Sequence, residues 1–229
     1  MKPEDRQVIR NVAQLRTTFQ KARIASGNRY FAVRQGNDSE EGIRPNERAL
    51  RWERIFEELE EQALFELHDL VKPLPIYREV IQVKGIGKIL AAQLISAIDI
   101  SRANTPSALW RYAGLAVFDG KAERRIKGEK LHYNMELKKF CFLIGESFVK
   151  CRSPYRRIYD EAKEFYAANR PNWTKKHCHM AALRKMVKVF LVHLWIKWRE
   201  LEGLPVRPIY VLEKMGHTTF ISAEEFGWN

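Results

Sequence analysis

The chain has 229 residues, 45% of them hydrophobic, with 40 Lys and Arg against 28 Asp and Glu, a formal charge of +12. That is enough chain for one large domain or two small ones with a real core. A mean hydropathy of −0.41, with no apolar run near the roughly 18 residues that a bilayer span needs, excludes a membrane-spanning helical protein. The first residues, MKPEDRQVIRNVAQLR, carry no apolar signal region, and Cys141, Cys151 and Cys178 are too scattered for a disulfide framework. The expected setting is a reducing cytoplasm.

In chain order, residues 4–26 place Val8, Val12, Leu15, Phe19 and Ala22 at helical spacing and predict a first helix. Gly27, Gly36, Gly42 and Pro45 break the period, so 26–45 is expected to be a loop. Asn46 is the expected N-cap of a second helix, with Glu47 in its first turn. Leu50, Ile55, Leu59, Leu64, Leu67 and Leu70 give that helix an apolar face as far as Val71, where KPLP stops it. Glu57, Glu58, Glu60 and Glu61 read as its solvated face. Residues 1–75 would then be a helical pair, packed antiparallel or as a coiled coil in a homodimer.

Residues 76–98 read as helix, tight turn, helix. Thr105 with Pro106 behind it starts a short helix that Gly114 closes. FDGKAERRIKGEK is polar with two glycines and reads as a β-hairpin or loop. A long helix is expected at about 132–151. Ser153 caps the next, with Pro154 at its first position, to about Ala168, and NRPNW interrupts. Thr174 caps a last long helix ending near Leu201. The expected fold is all-α with at most one small β-hairpin. It divides into a helical pair (1–75), a helix-hairpin-helix domain with basic helices (76–203) and an extended or irregular tail (204–229).

The positive charge is concentrated. Residues 121–200 hold 20 Lys and Arg against 8 Asp and Glu, and the rest of the chain holds 20 of each. A one-signed segment of this kind points to a polyanion, nucleic acid first. Within 83–98, VKGIGKILAAQLISAI, the pattern apolar-x-Gly-apolar-Gly precedes an apolar helix. Gly85 permits a positive φ and Gly87 lets backbone approach a ligand. The amides at the start of the second helix and its dipole make an anion site, to which Lys84 and Lys88 add charge while Ile86 anchors the turn. Lys84, Gly85, Ile86, Gly87 and Lys88 are therefore the candidate phosphate-binding residues. Such a site grips backbone and reads no base. Lys121, Arg124, Arg125, Lys127 and Lys130, five cations in ten residues, form a second candidate contact.

The stretch VKGIGKILAAQLISAIDISRANTPSALWRYAGLAV resembles the C-terminal domain of transposases of the IS-one-ten group of insertion sequences. The likeness is carried by Gly85, Gly87, Ala91, Asp99, Ser101, Pro106, Tyr112, Ala113, Gly114 and Leu115. HMAALRKMVKVFLVHLW is similar to that domain's closing helix, and the likeness spans roughly 76–200. WRYAGL with IGESFVK is also similar to stand-alone, phage-associated transposase-like proteins. The resemblance implies DNA recombination guided by a structured RNA, with a RuvC-like acidic tetrad and a nucleophilic serine. Residues 1–75 lack a strand-rich, acid-bearing pattern. AVFDGKAERRIKGEKLHYN, where the family's serine hairpin would lie, contains no Ser or Thr, so the covalent step lacks its hydroxyl. Tyr133 is a formal substitute with no supporting set around it.

Other constellations carry less. His177, Cys178 and His179 invite a metal, but residues two apart on a helix diverge and no C-x-x-C accompanies them; the expectation is exposed histidines and neither metal nor cofactor. His193 in FLVHLWIKW reads as a core histidine. Ser147 lacks a hydrolase elbow, and Gly145 reads as a close-packing position. Trp110 and Tyr112 read as core, and Trp198, flanked by Lys197 and Arg199, as a base-stacking residue. The reading is a transposase-derived, non-catalytic protein that binds duplex or branched DNA through phosphates, nucleoid-associated in the cell. Two alternatives stay open. One is an active transposase with a partner or an unrecognised nucleophile. The other is an RNA-binding or scaffold protein.

Overall fold

The computed structural model describes residues 3–34, 43–118, 120–123, 125, 127, 128, 130–206 and 222–228. Its backbone forms two compact units, Met1–Pro73 and Leu74–Asn229.

The first unit is α1 (Pro3–Arg34) against α2 (Ile43–Val71). The pair is antiparallel: Arg16 and Arg23 both reach Glu60, while Gly27, further along α1, meets Glu53, earlier on α2. Three expectations are corrected here. Gly27 does not end the first helix, which continues to Arg34; a Cβ at Gly27 would lie 2.6 Å from Glu53 Oε1, so the glycine serves the close approach of the two helices. The second helix starts at Ile43 rather than after Asn46, and Pro45 falls in its first turn, where the missing N–H has no intrahelical partner to lose. The buried seam of α1 runs through Ile9, Val12, Ala13 and Arg16, leaving Val8 and Leu15 46% and 51% exposed. Facing Ala63, Leu67 and Val71 of α2 rotates α1 by about one residue from the face drawn by large apolar side chains. Gly36 and Gly42 lie outside the described residues.

Glu60 also departs from the solvated face assigned to it. It is 8% exposed and takes Arg16 on Oε1 and Arg23 on Oε2, the latter at 2.9 Å. Glu57, Glu58 and Glu61 are exposed.

The second unit is built around α8 (Lys175–Leu201), buried on most sides through Leu183, Met186, Phe190, Leu194, Trp195 and Trp198. Around it pack α3 (Pro75–Val80), α5 (Pro106–Tyr112), α6 (Met135–Lys150) and α7 (Arg156–Asn169), while α4 (Lys88–Ala97) lies on α3 and α6. Gly145 lets α6 close on α8, since a Cβ there would stand 3.1 Å from Val187 and 3.3 Å from Leu183. Trp195 donates to the Ala103 carbonyl at 2.6 Å, and Arg199 donates to the carbonyls of Ile100, Ala103 and Pro205, tying α8 to the α4–α5 connection. β1 (Val117–Phe118) and β2 (Lys121–Ala122) pair antiparallel in the one hairpin among the described residues. The fold is otherwise all-α, and among the described residues no helix is long and apolar enough to cross a membrane.

Caps follow local chemistry. Thr105 Oγ1 accepts from the Ala108 amide and Thr174 Oγ1 from the His177 amide. Asn134 caps α6 through the amides of Glu136 and Leu137. Ser153 does not cap α7: Tyr155 holds that position, and the Ser153 hydroxyl is buried without a partner among the described residues. It is instead the Ser153 carbonyl that accepts, from the Arg156 amide, in the turn leading into α7.

The tail returns to the core. A 3-10 turn at Glu224–Phe226 buries Phe226 and Trp228 against Tyr155, Phe190 and His193. Trp228 Nε1 donates to the Tyr155 hydroxyl at 2.7 Å, and that hydroxyl is hydrogen-bonded to His193 Nδ1 at 2.6 Å. His193 is the satisfied core histidine expected. Residues 207–221 lie outside the described residues.

Candidate nucleic-acid interface

The turn between α3 and α4 is set by a few backbone bonds. Amides of Gln82, Val83 and Ile86 donate to the carbonyls of Glu79, Val80 and Val83, coiling the chain tightly before α4. Gly85 adopts φ +105°, the conformation that favours glycine. Its carbonyl accepts from the Ser147 hydroxyl at 2.6 Å, which gives Ser147 a structural duty on α6. A Cβ at Gly85 would lie 2.8 Å from Cys151 Sγ and 2.9 Å from Phe148 Cδ1. Gly85 therefore turns the chain and seats it on α6.

Gly87 differs. Its φ is −82°, open to any residue, and a Cβ there would meet nothing within 4 Å. It is the N-cap of α4, with no side chain capping the helix. The first backbone bond into α4 runs from the Ala91 amide to the Gly87 carbonyl, so the amides of Lys88, Ile89 and Leu90 precede the ladder. Lys84, Gly87 and Lys88 are exposed, while Ile86 is 5% exposed and anchors the turn. The turn thus carries Lys84, Gly87 and Lys88 on the surface and Ile86 beneath, with the Ile86 amide donating to the Val83 carbonyl.

The second set lies along and after the hairpin. Arg125, Lys127 and Lys130 are exposed; Arg124 and the side chain of Lys121 lie outside the described residues. Trp198 is corrected: at 1% exposure, inside the α8 core, its ring has no face to offer a base. Lys197 beside it is half-buried and 3.9 Å from Glu79. Flanking charge does not bring exposure here, because on this helix neighbours in sequence point to different sides. Tyr112, expected in the core, is 41% exposed, its hydroxyl accepting from Asn134. Trp110 is half-buried and donates to the Lys188 carbonyl at 2.9 Å.

His179 was expected on an exposed face, but it spans α6 and α7, with Nδ1 2.8 Å from the Tyr159 hydroxyl and Nε2 3.3 Å from Glu146. His177 is exposed and stacks on Trp173 at 4.9 Å. Among the described residues no group of three or more His, Cys, Asp and Glu is placed to hold a metal. Burial pushes the Cys141 thiol up to about 12, which removes it as a nucleophile at neutral pH. Tyr133 is half-buried under Lys138, whose Nζ stands 4.1 Å from the ring centroid.

One feature escaped the sequence reading. Beside the hairpin a groove is lined by Ala122, Glu123, Lys138, Trp173, His177 and Arg184, among others. One turn beyond Arg184, Lys188 lays its ammonium 4.1 Å from the Trp110 ring centroid. The signal was available: ALRKMVKVF places Arg184 and Lys188 four apart on a helix, with no acid between them.

Residues 77–159, from α3 into α7, match the model of the transposase IS116/IS110/IS902 family. No curated protein and no solved structure matches the chain.

Proposed function

We propose, taking residues 77–159 as a transposase-related domain of the IS116/IS110/IS902 family, that this chain is a transposase-derived DNA-binding protein. It holds the phosphate backbone and does not itself run the family's serine chemistry. The carrying observation is the α3–α4 turn, where Lys84 and Lys88 stand exposed around an uncapped helix N-terminus on a rigid seat. In this reading the first three amides of α4, the helix dipole and the two lysines serve one phosphate beside Gly87, where a Cβ would meet nothing within 4 Å.

The hairpin cations extend the contact. Phosphate is the common denominator of both patches, so duplex of any sequence should bind, with a steep salt dependence. Residues 116–134 contain no Ser or Thr, so no hydroxyl of that kind is available to form a DNA ester at the family's position.

The test is a titration of random-sequence duplex at several salt concentrations, with structured RNA as competitor. Replacing Lys84 and Lys88 by Met should flatten the log–log salt slope by about 0.9 for each phosphate lost. An unchanged slope and affinity would remove the turn from the interface. Preferential displacement by structured RNA would assign the surface to RNA.

A further inference from the structure

Arg184 in the groove beside the hairpin and Lys188, one turn beyond its lining and over the Trp110 ring, make a charge arrangement that no acid among the described residues answers. Arg184 and Lys188 are half-buried and lie on one face of α8, four residues or about 6 Å apart along its axis. Among the described residues neither takes part in an ion pair. Burial holds both below their ordinary pKa, and the charge of Arg184 lowers Lys188 further. Two half-buried cations on one helix face that repel each other, with only the Trp110 ring under one of them, leave a gain for a bound anion to supply.

The rest of the groove says what kind. Toward the start of α8 the rings of Tyr166, Trp173 and His177 form a column, with centroids 5.4 Å and 4.9 Å apart. Its outer member, His177, is exposed and lines the groove. His177 and Arg184 are seven residues apart, about 10 Å along the helix, comparable to the reach from a phosphate to the far edge of its base. Met180, Ala181 and Ala122 supply apolar lining. Glu123 supplies the one carboxylate of the lining, and its Oε2 is buried with no hydrogen-bond partner among the described residues. Lys138 is turned to the Glu123 carbonyl, 2.8 Å away, not to its carboxylate.

We infer that this groove holds an unpaired nucleotide of a nucleic-acid strand, its phosphate on Arg184, the adjoining phosphate toward Lys188 one turn beyond the groove, and its base extending the ring column at His177, with Glu123 accepting from the base. A duplex presents phosphates on a convex surface and keeps its bases stacked inside; a single strand can enter a groove and splay a base onto an aromatic ring. A carboxylate accepts and cannot donate, so it favours bases that present an amino group. The inference rests on the nucleic-acid reading above but assigns a different site and a different strand state.

Anisotropy titrations of short single-stranded oligonucleotides of adenine, cytosine or thymine, beside a duplex, test it on the full chain. Arg184→Met and Lys188→Met keep the aliphatic stems. Each should weaken single-strand binding by roughly tenfold or more while the melting temperature stays level or rises. Glu123→Gln should reduce the preference for adenine and cytosine over thymine. A drop in melting temperature in both Met variants would show that the cations hold the fold, overturning the inference. Unchanged single-strand affinity in both, with affinity lost on replacing Lys84 and Lys88, would overturn it and leave the turn standing. If wild type binds no nucleic acid, both readings fall.

Discussion

Glu60 in the first unit and the Arg184–Lys188 pair in the second are both charge set into a protein interior, handled in opposite ways. Glu60 is 8% exposed and holds an arginine on each carboxylate oxygen, so its charge is answered within the fold. Arg184 and Lys188 are answered by no acid among the described residues, only by the ring of Trp110 under the ammonium. Charge of the first kind positions two helices. Charge of the second kind is a standing cost that a bound anion would relieve. The distinction separates residues kept for architecture from residues kept for binding, which net charge cannot do.

The sharpest way to break this contrast is Glu60→Ala. It strands the buried Arg16 guanidinium in the α1–α2 seam, while the more exposed Arg23 can turn to water, and a loss of about 3 kcal/mol is expected from urea unfolding. A loss below about 1 kcal/mol would mean that water already answers those charges. Gly85→Ala comes next, at about 1–3 kcal/mol, because it forces a Cβ against Phe148 and Cys151 at a positive φ. It would lower DNA affinity by unseating the turn, so weak binding by this variant says little about contact.

Lys188→Met should act in the other direction, raising stability by up to about 1 kcal/mol at pH 7. Its ammonium titrates below 10.5 in the folded chain. Between that lowered value and 10.5 the unfolded chain keeps a proton that the folded chain has released. Stability contributed by this group therefore rises with pH across that window, and its penalty is fully present below it. The stability gain of the variant over wild type should shrink through the same window, read by thermal melts at matched ionic strength. Gly87→Ala should change stability least, by no more than about 0.5 kcal/mol, since its Cβ meets nothing and its φ is ordinary. If that variant binds duplex as wild type does, backbone approach at Gly87 is not used.

Much of the fold could be read where a residue's own chemistry decides the structure. Thr105 and Thr174 cap because a hydroxyl satisfies a helix amide wherever it meets one. Gly85 takes a positive φ because few other residues can. What could not be read depended on a distant partner. Glu60 looked solvated until Arg16 and Arg23, 44 and 37 residues away, were folded against it. Gly27 looked like a helix breaker until Glu53 required the space. Trp198 looked like a surface ring because α8 is the central helix, and centrality follows from how five other helices arrange themselves. The turn residues were legible as a group. The groove was not, because its members come from the hairpin, α6, the α7–α8 connection and α8.

The return of Phe226 and Trp228 makes the core of the second unit depend on residues far beyond its last α-helix. The aromatic core of the second unit closes only when residues 73 positions beyond Tyr155 arrive to occupy it. A stop or frameshift after Leu201 would leave every helix of the second unit intact in sequence. It would nonetheless take the Trp228 donor from the Tyr155 hydroxyl and the Phe226 ring from His193, and open a void the size of two large rings, at about 3–5 kcal/mol for each ring. The second unit thus depends on two rings beyond its last α-helix as much as on the packing between its helices.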